Sequence, residues 1–349
     1  MNSPNVLFVP DWSKGNPYQK ALASALEIEG CAVSLGALRQ VFWKRFDILH
    51  VHWPDPLFLS DSWIKTIAKT SLSLFTILVA KFLGTRLFWT VHNMSSHEGR
   101  FSHIENCATR LMVGLCDGIV AHTSHSKELL SQKYRIPEAR IHVIPIGDYS
   151  GFYANSLGRE SARGCLGYGV LETVFASVGV IRPYKGLPEL INAFNAISDV
   201  NARLLLAGRP IDDETGEEIG GLCEGNDRIR SVLKFIPDDD LQIYMNAADV
   251  IVFPYRKITT SAAVMLAMAF GKAIVAPSLP FMKETLSEAG TIFYDPANAD
   301  ALLGALNMAI HRRTELKSMG ISNREAVSAF SWDKIGKKTI QAYRTAFSH

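Results

Sequence analysis

The chain reads as short apolar runs alternating with longer stretches of helical period. Apolar strands are predicted at residues 6–9, 48–52, 87–92, 118–121 and 143–145, with a helix at 17–29 and further helical stretches between several of them. After a stretch at 147–169 dense in Gly, Ser, Tyr and Asn, which reads as an interdomain linker, the pattern restarts. Strands follow at 173–178, 202–207, 232–235, 250–253, 273–276 and 291–293, with helices at 187–197, 239–247 and from 299 onward. Unbroken apolar runs suit strands buried on both faces, and strand–helix alternation builds parallel sheets. The expectation is an α/β protein of two doubly wound, Rossmann-like domains: an N-terminal domain at 1–155 and a second at 165–325, followed by a helical tail at 326–349.

Residues 63–83, from Trp63 to Leu83, are rich in Ile, Leu, Phe and Val, yet Lys65, Lys69 and Lys81 interrupt them. A transmembrane helix needs about 20 mostly apolar residues without such charges, so one or two amphipathic helices are predicted. Their apolar side either packs on a sheet or meets a membrane surface, with the lysines toward anionic headgroups.

Composition adds mainly exclusions. At 349 residues, 48% hydrophobic and 20% charged, the chain suffices for two domains with their own cores, and its net charge of +2 leaves no footprint for nucleic acid. Five cysteines, Cys31, Cys107, Cys116, Cys165 and Cys223, have no CxxC spacing and indicate neither a disulfide framework nor a zinc site. A reducing cytoplasmic setting is expected, and residues 1–5 show no secretory leader before the first strand.

The candidate chemistry gathers at strand ends, where open parallel sheets place their ligands. Val178 is followed by Gly179, Arg182, Lys185 and Gly186 ahead of a helix, where backbone N–H groups and two cations suit a diphosphate, unless the charges merely flank a helix start. After the strand at 250–253 come Tyr255 and the hydroxyls of Thr259, Thr260 and Ser261, which either offer donors to phosphate oxygens or cap the next helix. The loop after the first strand carries Asp11, Trp12, Gly15, Asn16 and Pro17, with Gly15 open to close backbone approach. Eight of the ten histidines precede residue 143, including His50 and His52 beside Trp53 and Asp55, and His92 ahead of His97 and Glu98. His50 and His52 are either structural strand residues or part of a site, and no ligand spacing for a metal is evident.

The stretch from Ala247 to Pro277, with Asp249, Pro254, Tyr255, Thr259 to Ser261, and the ending Ala267, Met268, Ala269, Phe270, Gly271, resembles the donor-binding region of GT-B glycosyltransferases of the family 4 type. In that family the helix ends in Glu-Ala-Met-Ala-x-Gly, and a first glutamate lies eight positions earlier. Here Leu266 and Ile258 stand in the two glutamate positions. The resemblance implies two Rossmann-like domains facing a cleft, with the final helix returning to the first domain. It implies a nucleotide-sugar donor, GDP- or UDP-linked, and no metal or other cofactor. Donor contacts fall on Gly15, Asn16, Arg182, Lys185, Tyr255, Thr259, Thr260 and Ser261, with His92 beside the donor sugar.

The missing glutamates make the chain similar to bacterial exopolysaccharide glycosyltransferases such as the xanthan β-mannosyltransferase, which invert configuration. That implies a glycan or polyprenyl-diphosphate-linked acceptor at the inner face of the plasma membrane. An inverting transfer needs a base for the acceptor hydroxyl. Glu98 is ranked first, then Asp55, with Asp11 a further carboxylate in reach of the same rim. A different class is a catalytically silent scaffold of the same fold that binds a nucleotide, a glycan or a partner enzyme. A two-domain epimerase is a third, with nothing specific in its favour.

Overall fold

The computed structural model describes residues 4–13, 16–93 and 101–347. It divides into two compact units, one running to Gly147 and resuming at Phe330, the other from Asp148 to Ala329. Each unit is a six-stranded, all-parallel sheet with helices on its faces.

In the first unit the strands are β1 (Asn5–Val9), β2 (Ala32–Leu35), β3 (Ile48–Val51), β4 (Arg86–Thr90), β5 (Gly118–Ala121) and β6 (Ile141–Val143), in the order β2-β1-β3-β4-β5-β6. The register sets Phe8 beside His50 and His50 beside Phe88. The strands β1, β3, β4 and β5 are almost wholly buried, which is why they read as mostly apolar runs. The helix Trp332–Thr345 belongs to this unit and packs against Pro17–Ile28. Their contact is close enough that a Cβ at Gly336 would sit 2.9 Å from the Ala25 carbonyl oxygen.

In the second unit the strands are β7 (Thr173–Val178), β8 (Ala202–Ala207), β9 (Ile229–Val232), β10 (Val250–Val252), β11 (Ala273–Pro277) and β12 (Thr291–Tyr294), in the order β12-β11-β10-β7-β8-β9. Its core gathers Phe175, Phe194, Leu204, Leu206, Val252 and Leu306 between sheet and helices.

The structure corrects the sequence reading at the sheet margins. The strand β2 was not predicted, β6 begins two residues earlier than 143, and β9 ends at Val232, where a strand was expected to begin. All three are edge strands. The stretch read as a linker contains the helix Arg159–Leu166. Its buried Arg163 is ion-paired at 2.5 Å with Asp249 and donates to the carbonyls of Ala247, Gly169 and Glu172, which docks the helix on the second sheet.

The helix Trp63–Phe82 is single and uninterrupted, capped by Ser62, whose hydroxyl accepts from the Lys65 amide. It faces the sheet with a hydroxyl seam. Thr70 donates to the Phe58 carbonyl, Ser73 to that of Leu57 and Thr66 to that of Ser60.

Candidate active site

In each sheet the strand order reverses direction at one place, between β1 and β3 in the first and between β7 and β10 in the second. A crevice opens beyond the carboxyl ends of such strands, and ligands of open α/β sheets bind there. The candidates of the second unit follow β7 and β10, and in the first unit Asp11, Asn16, His52 and Asp55 follow β1 and β3, with His92 after the neighbouring β4.

In the second unit, Gly179 and Gly186 frame the segment that carries Arg182 and Lys185. Gly179 has φ 116° and Gly186 φ 67°, conformations open to glycine and strained for other residues. A Cβ at Gly186 would lie 2.0 Å from the Pro254 carbonyl oxygen, so this glycine lets the β7 and β10 loops touch. The Arg256 amide donates to the Tyr184 carbonyl at 3.0 Å across the same junction. Lys185 folds back over the Gly179 turn, with Nζ 5.8 Å from the centre of the Tyr255 ring. Burial, and then the neighbouring Arg182, lowers its pKa to about 8. A bound anion would relieve that cost. Arg182 itself lines a recess with Thr215, Glu218 and Arg256, and Arg256 is paired with Glu189 at 2.5 Å.

The helix that follows, Ala262–Ala269, starts without a side-chain cap. Ser261 stands at its N-cap, but its hydroxyl is hydrogen-bonded to the buried Tyr255, whose pKa is raised by burial. The Thr260 hydroxyl is buried and has no partner among the described residues. An uncapped helix N-terminus, an orphan hydroxyl and a desolvated lysine are hydrogen-bond donors of the kind that suits an anion. Thr259 lies in the same loop, and Leu266 and Ile258, at the glutamate positions, are both half-buried.

In the first unit the strand ends hold a buried cluster of imidazoles. His50 stacks on His52 with ring centres 4.3 Å apart, and His92 stacks on Trp53 at 4.4 Å. Tyr18 meets His92 edge-on at 4.8 Å. Hydrogen bonding fixes the tautomers. The Ile144 carbonyl can only accept, so His122 donates to it from Nδ1 at 2.9 Å, and its neutral ring accepts at Nε2. His92 therefore donates from Nδ1 to His122 at 3.2 Å, which makes its own Nε2 a lone-pair acceptor. Burial, then the adjacent His122 and His50, holds the His92 pKa well below its ordinary value. His92 is thus a neutral acceptor, suited to a hydroxyl donor and too weak a base to store a proton at neutral pH.

His50 is bonded to Tyr343 at 2.6 Å and Thr90 at 2.7 Å, a structural tie between the sheet and the last helix. His52 is fully buried, and neither ring nitrogen has a partner among the described residues. Above the cluster, Trp53 lies 5.9 Å from Trp12, whose indole is 49% exposed. Asn16 caps the helix Pro17–Ile28, its Oδ1 accepting from the Tyr18 amide at 3.0 Å. Asp55 opens the short helix Asp55–Phe58 at the end of β3, and Asp11 accepts from the Ser13 amide. Gly15 and Glu98 lie outside the described residues. Sequence reasoning missed His122, although it directly follows β5 as His52 follows β3. Tyr343 carried no signal at all, since only the fold brings it to His50.

Two parallel six-stranded units, each with its polar residues at the switch point, define the GT-B class of α/β glycosyltransferases. A model of glycosyl transferases group 1 matches residues 169–326, and one of glycosyltransferase family 4 matches residues 28–147. The chain belongs to the family 4-like GT-B glycosyltransferases. A GDP-mannose:glycolipid 4-beta-D-mannosyltransferase of Xanthomonas campestris is 22% identical over 334 residues, spanning 95% of this chain and 88% of its own. An alpha-maltose-1-phosphate synthase of Mycolicibacterium smegmatis is 24% identical over 293 residues, 76% of each chain. Among solved structures, Anabaena HepE in complex with UDP and glucose superposes with a TM-score of 0.75 at 16% identity, covering 98% of this chain and 100% of its own. A sucrose-phosphate synthase from Thermosynechococcus elongatus gives 0.74 at 18% identity, covering 99% of each.

Proposed function

We propose that this glycosyltransferase moves a hexose from a nucleotide diphosphate sugar to a hydroxyl of a lipid-linked glycan, with inversion, in bacterial polysaccharide synthesis at the cytoplasmic face of the membrane. One observation carries the donor half of the reading: the uncapped helix start, the orphan Thr260 hydroxyl and the desolvated Lys185 converge at the second switch point. These groups would hold the leaving diphosphate and stabilise its charge as the glycosidic bond breaks. Turnover without a metal ion follows from this assignment, and activity retained in excess chelator tests it.

The near full-length similarity to a GDP-mannose-dependent enzyme favours a GDP-linked hexose over a UDP-linked one. Absence of carboxylates at Ile258 and Leu266 favours a single displacement from a base in the first unit. Glu98 and Asp55 remain the bases of choice, since His92 is held neutral and serves to accept from a sugar hydroxyl. The half-exposed Trp12 beside Trp53 gives the acceptor sugar an apolar face to stack on.

The test begins with thermal stabilisation by GDP, UDP and ADP and their hexose conjugates, because a ligand of the native state must raise its melting point. A selective rise with GDP compounds, followed by a β-linked product on a lipid-linked acceptor, is expected. Donor binding without any product, with Asp55→Asn and Glu98→Gln no different from wild type, would instead favour a catalytically silent scaffold. The missing glutamates are what keep that reading in view.

A further inference from the structure

The helix Trp63–Phe82 is mounted inside out. Two seams run along it at the alternating three- and four-residue spacing that keeps residues on one face. The seam of Thr66, Thr70, Ser73, Ile77 and Ala80 is buried. The seam of Ile64, Ile67, Ser71, Phe75, Leu78 and Phe82 is exposed, with Phe82 at 92%. A helix of a water-facing domain puts its apolar stripe on the core and its hydroxyls outside. Here the hydroxyls of Thr66, Thr70 and Ser73 are satisfied by carbonyls of the 57–60 segment, which fixes the helix in this orientation.

Its surroundings share the character. The 3₁₀ turn Leu38–Phe42 packs against the helix, and the run Phe42, Trp43, Lys44 and Arg45 at its end is exposed throughout. Trp43 is 66% exposed and Trp63, at the start of the helix, 60%. Lys65 and Lys69 follow Trp63 on an exposed flank, and no acidic residue occurs from 63 to 83. By length and composition the helix would also suffice to cross a membrane. Its satisfied hydroxyl seam and its place over the first core, where Ile77 and Ala80 pack with Leu57 and Leu87, keep it lying on the domain instead.

We propose that this face is a membrane-docking surface that lays the first unit on an anionic lipid bilayer. The exposed seam enters the acyl boundary, Trp43 and Trp63 sit at headgroup depth, and Arg45 and Lys65 meet lipid phosphates, while Lys44 and Lys69 donate to the Ser34 hydroxyl and the Leu59 carbonyl. The occupant is fixed by charge and shape. An apolar stripe on a helix with exposed lysines and no acidic residue, Asp61 lying just ahead of its start, matches an anionic bilayer, whereas a second copy would set the same cations against each other. The proposal rests on packing and exposure, independent of the donor chemistry.

Sedimentation with vesicles tests it, comparing phosphatidylcholine alone with phosphatidylcholine containing phosphatidylglycerol. The wild-type protein is expected to bind the anionic vesicles, with affinity falling as salt rises. The double variant Phe75→Asp/Leu78→Asp is expected to lose at least tenfold in partitioning. Lys65→Gln/Arg45→Gln is expected to lose about fivefold per charge, on anionic vesicles alone. Unchanged circular dichroism and an unchanged donor-induced rise in melting temperature would show that fold and donor site are intact in the variants. Failure of the wild type to bind, binding by the variants as strong as wild type, or a wild-type dimer that Phe75→Asp/Leu78→Asp converts to monomer would each overturn the proposal. The last outcome would assign the face to a second copy of the chain.

Discussion

At the scale of single residues, burial lowers both Lys185 in the second unit and His92 in the first, the lysine staying charged and the imidazole neutral. Burial and Arg182 bring Lys185 down to about 8, so it is charged at neutral pH at a cost that only an anion repays. Replacing it as Lys185→Met removes that cost, and the unliganded melting temperature should hold or rise. Affinity for a nucleoside diphosphate should fall about tenfold to a hundredfold, the worth of a charge-assisted hydrogen bond. The sign of the pH effect follows from linkage. Below about 8 the lysine is already protonated in the free protein, and binding is independent of its titration. As pH rises above 8, binding must take up a proton and weakens, by up to about tenfold per unit. Titration calorimetry with GDP from pH 6.5 to 9.5 checks this, and a flat profile would remove Lys185 from the diphosphate site. The residue itself was legible in the sequence, as a cation between two glycines ahead of a helix. Its desolvation was not, because the Tyr255 ring that covers it arrives from another strand.

At the scale of elements, the sequence marked central strands and blurred the edges. A strand buried on both faces reads as a near-continuous apolar run, as Leu87 to Trp89 in β4 and Val174 to Ala176 in β7 do. An edge strand such as β2, AVSL, is half-exposed and carries no continuous run. The helix Arg159–Leu166 escaped for a related reason: the residue that docks it is an arginine, so no apolar stripe announces it. Arg163 is almost wholly buried, and its loss strands the carbonyls of Ala247, Gly169 and Glu172, while Arg159 still pairs with Asp249 at 2.8 Å. Arg163→Met should therefore destabilise the second unit by about 1–3 kcal/mol, measured by urea unfolding followed in far-ultraviolet circular dichroism. All six tryptophans, Trp12, Trp43, Trp53, Trp63, Trp89 and Trp332, lie in the first unit. Their fluorescence transition should stay where it is in the wild type, and a shift there would show that the two units unfold together.

At the scale of the whole molecule, the imidazole cluster makes acid tolerance uneven between the units. Burial lowers His50 to about 3 and His122 to about 4, and holds His52 and His92 well below their ordinary range. The unfolded chain takes up these protons near pH 6.5, before the folded one can. Stability from the cluster is thus complete above about 6.5 and is lost as pH falls toward 4, by up to about 1.4 kcal/mol per unit for each group. Tryptophan emission should report the first unit unfolding at a higher pH than the circular dichroism of the second. His52→Leu, which removes two buried nitrogens without partners, should move that emission midpoint to lower pH. An unchanged midpoint would mean that His52 contributes nothing to the acid response.

The sequence by itself determined that two parallel α/β units follow one another. It also placed the chemistry, since strand ends and glycine turns are local features that each carry their own residues. It marked the glycine-flanked cations Arg182 and Lys185 and the absence of both family glutamates, because those are matters of identity at a position. Only the tertiary structure decided which candidate hydroxyls and imidazoles are already spoken for. Ser261 goes to Tyr255, Asn16 to its own helix and His50 to Tyr343, while Thr260 and His52 are left over. It also decided which way the helix Trp63–Phe82 faces. Periodicity gives two seams equally well, and the carbonyls of Leu57, Phe58 and Ser60, at and just after the end of the short helix Asp55–Phe58, selected the polar one for the inside.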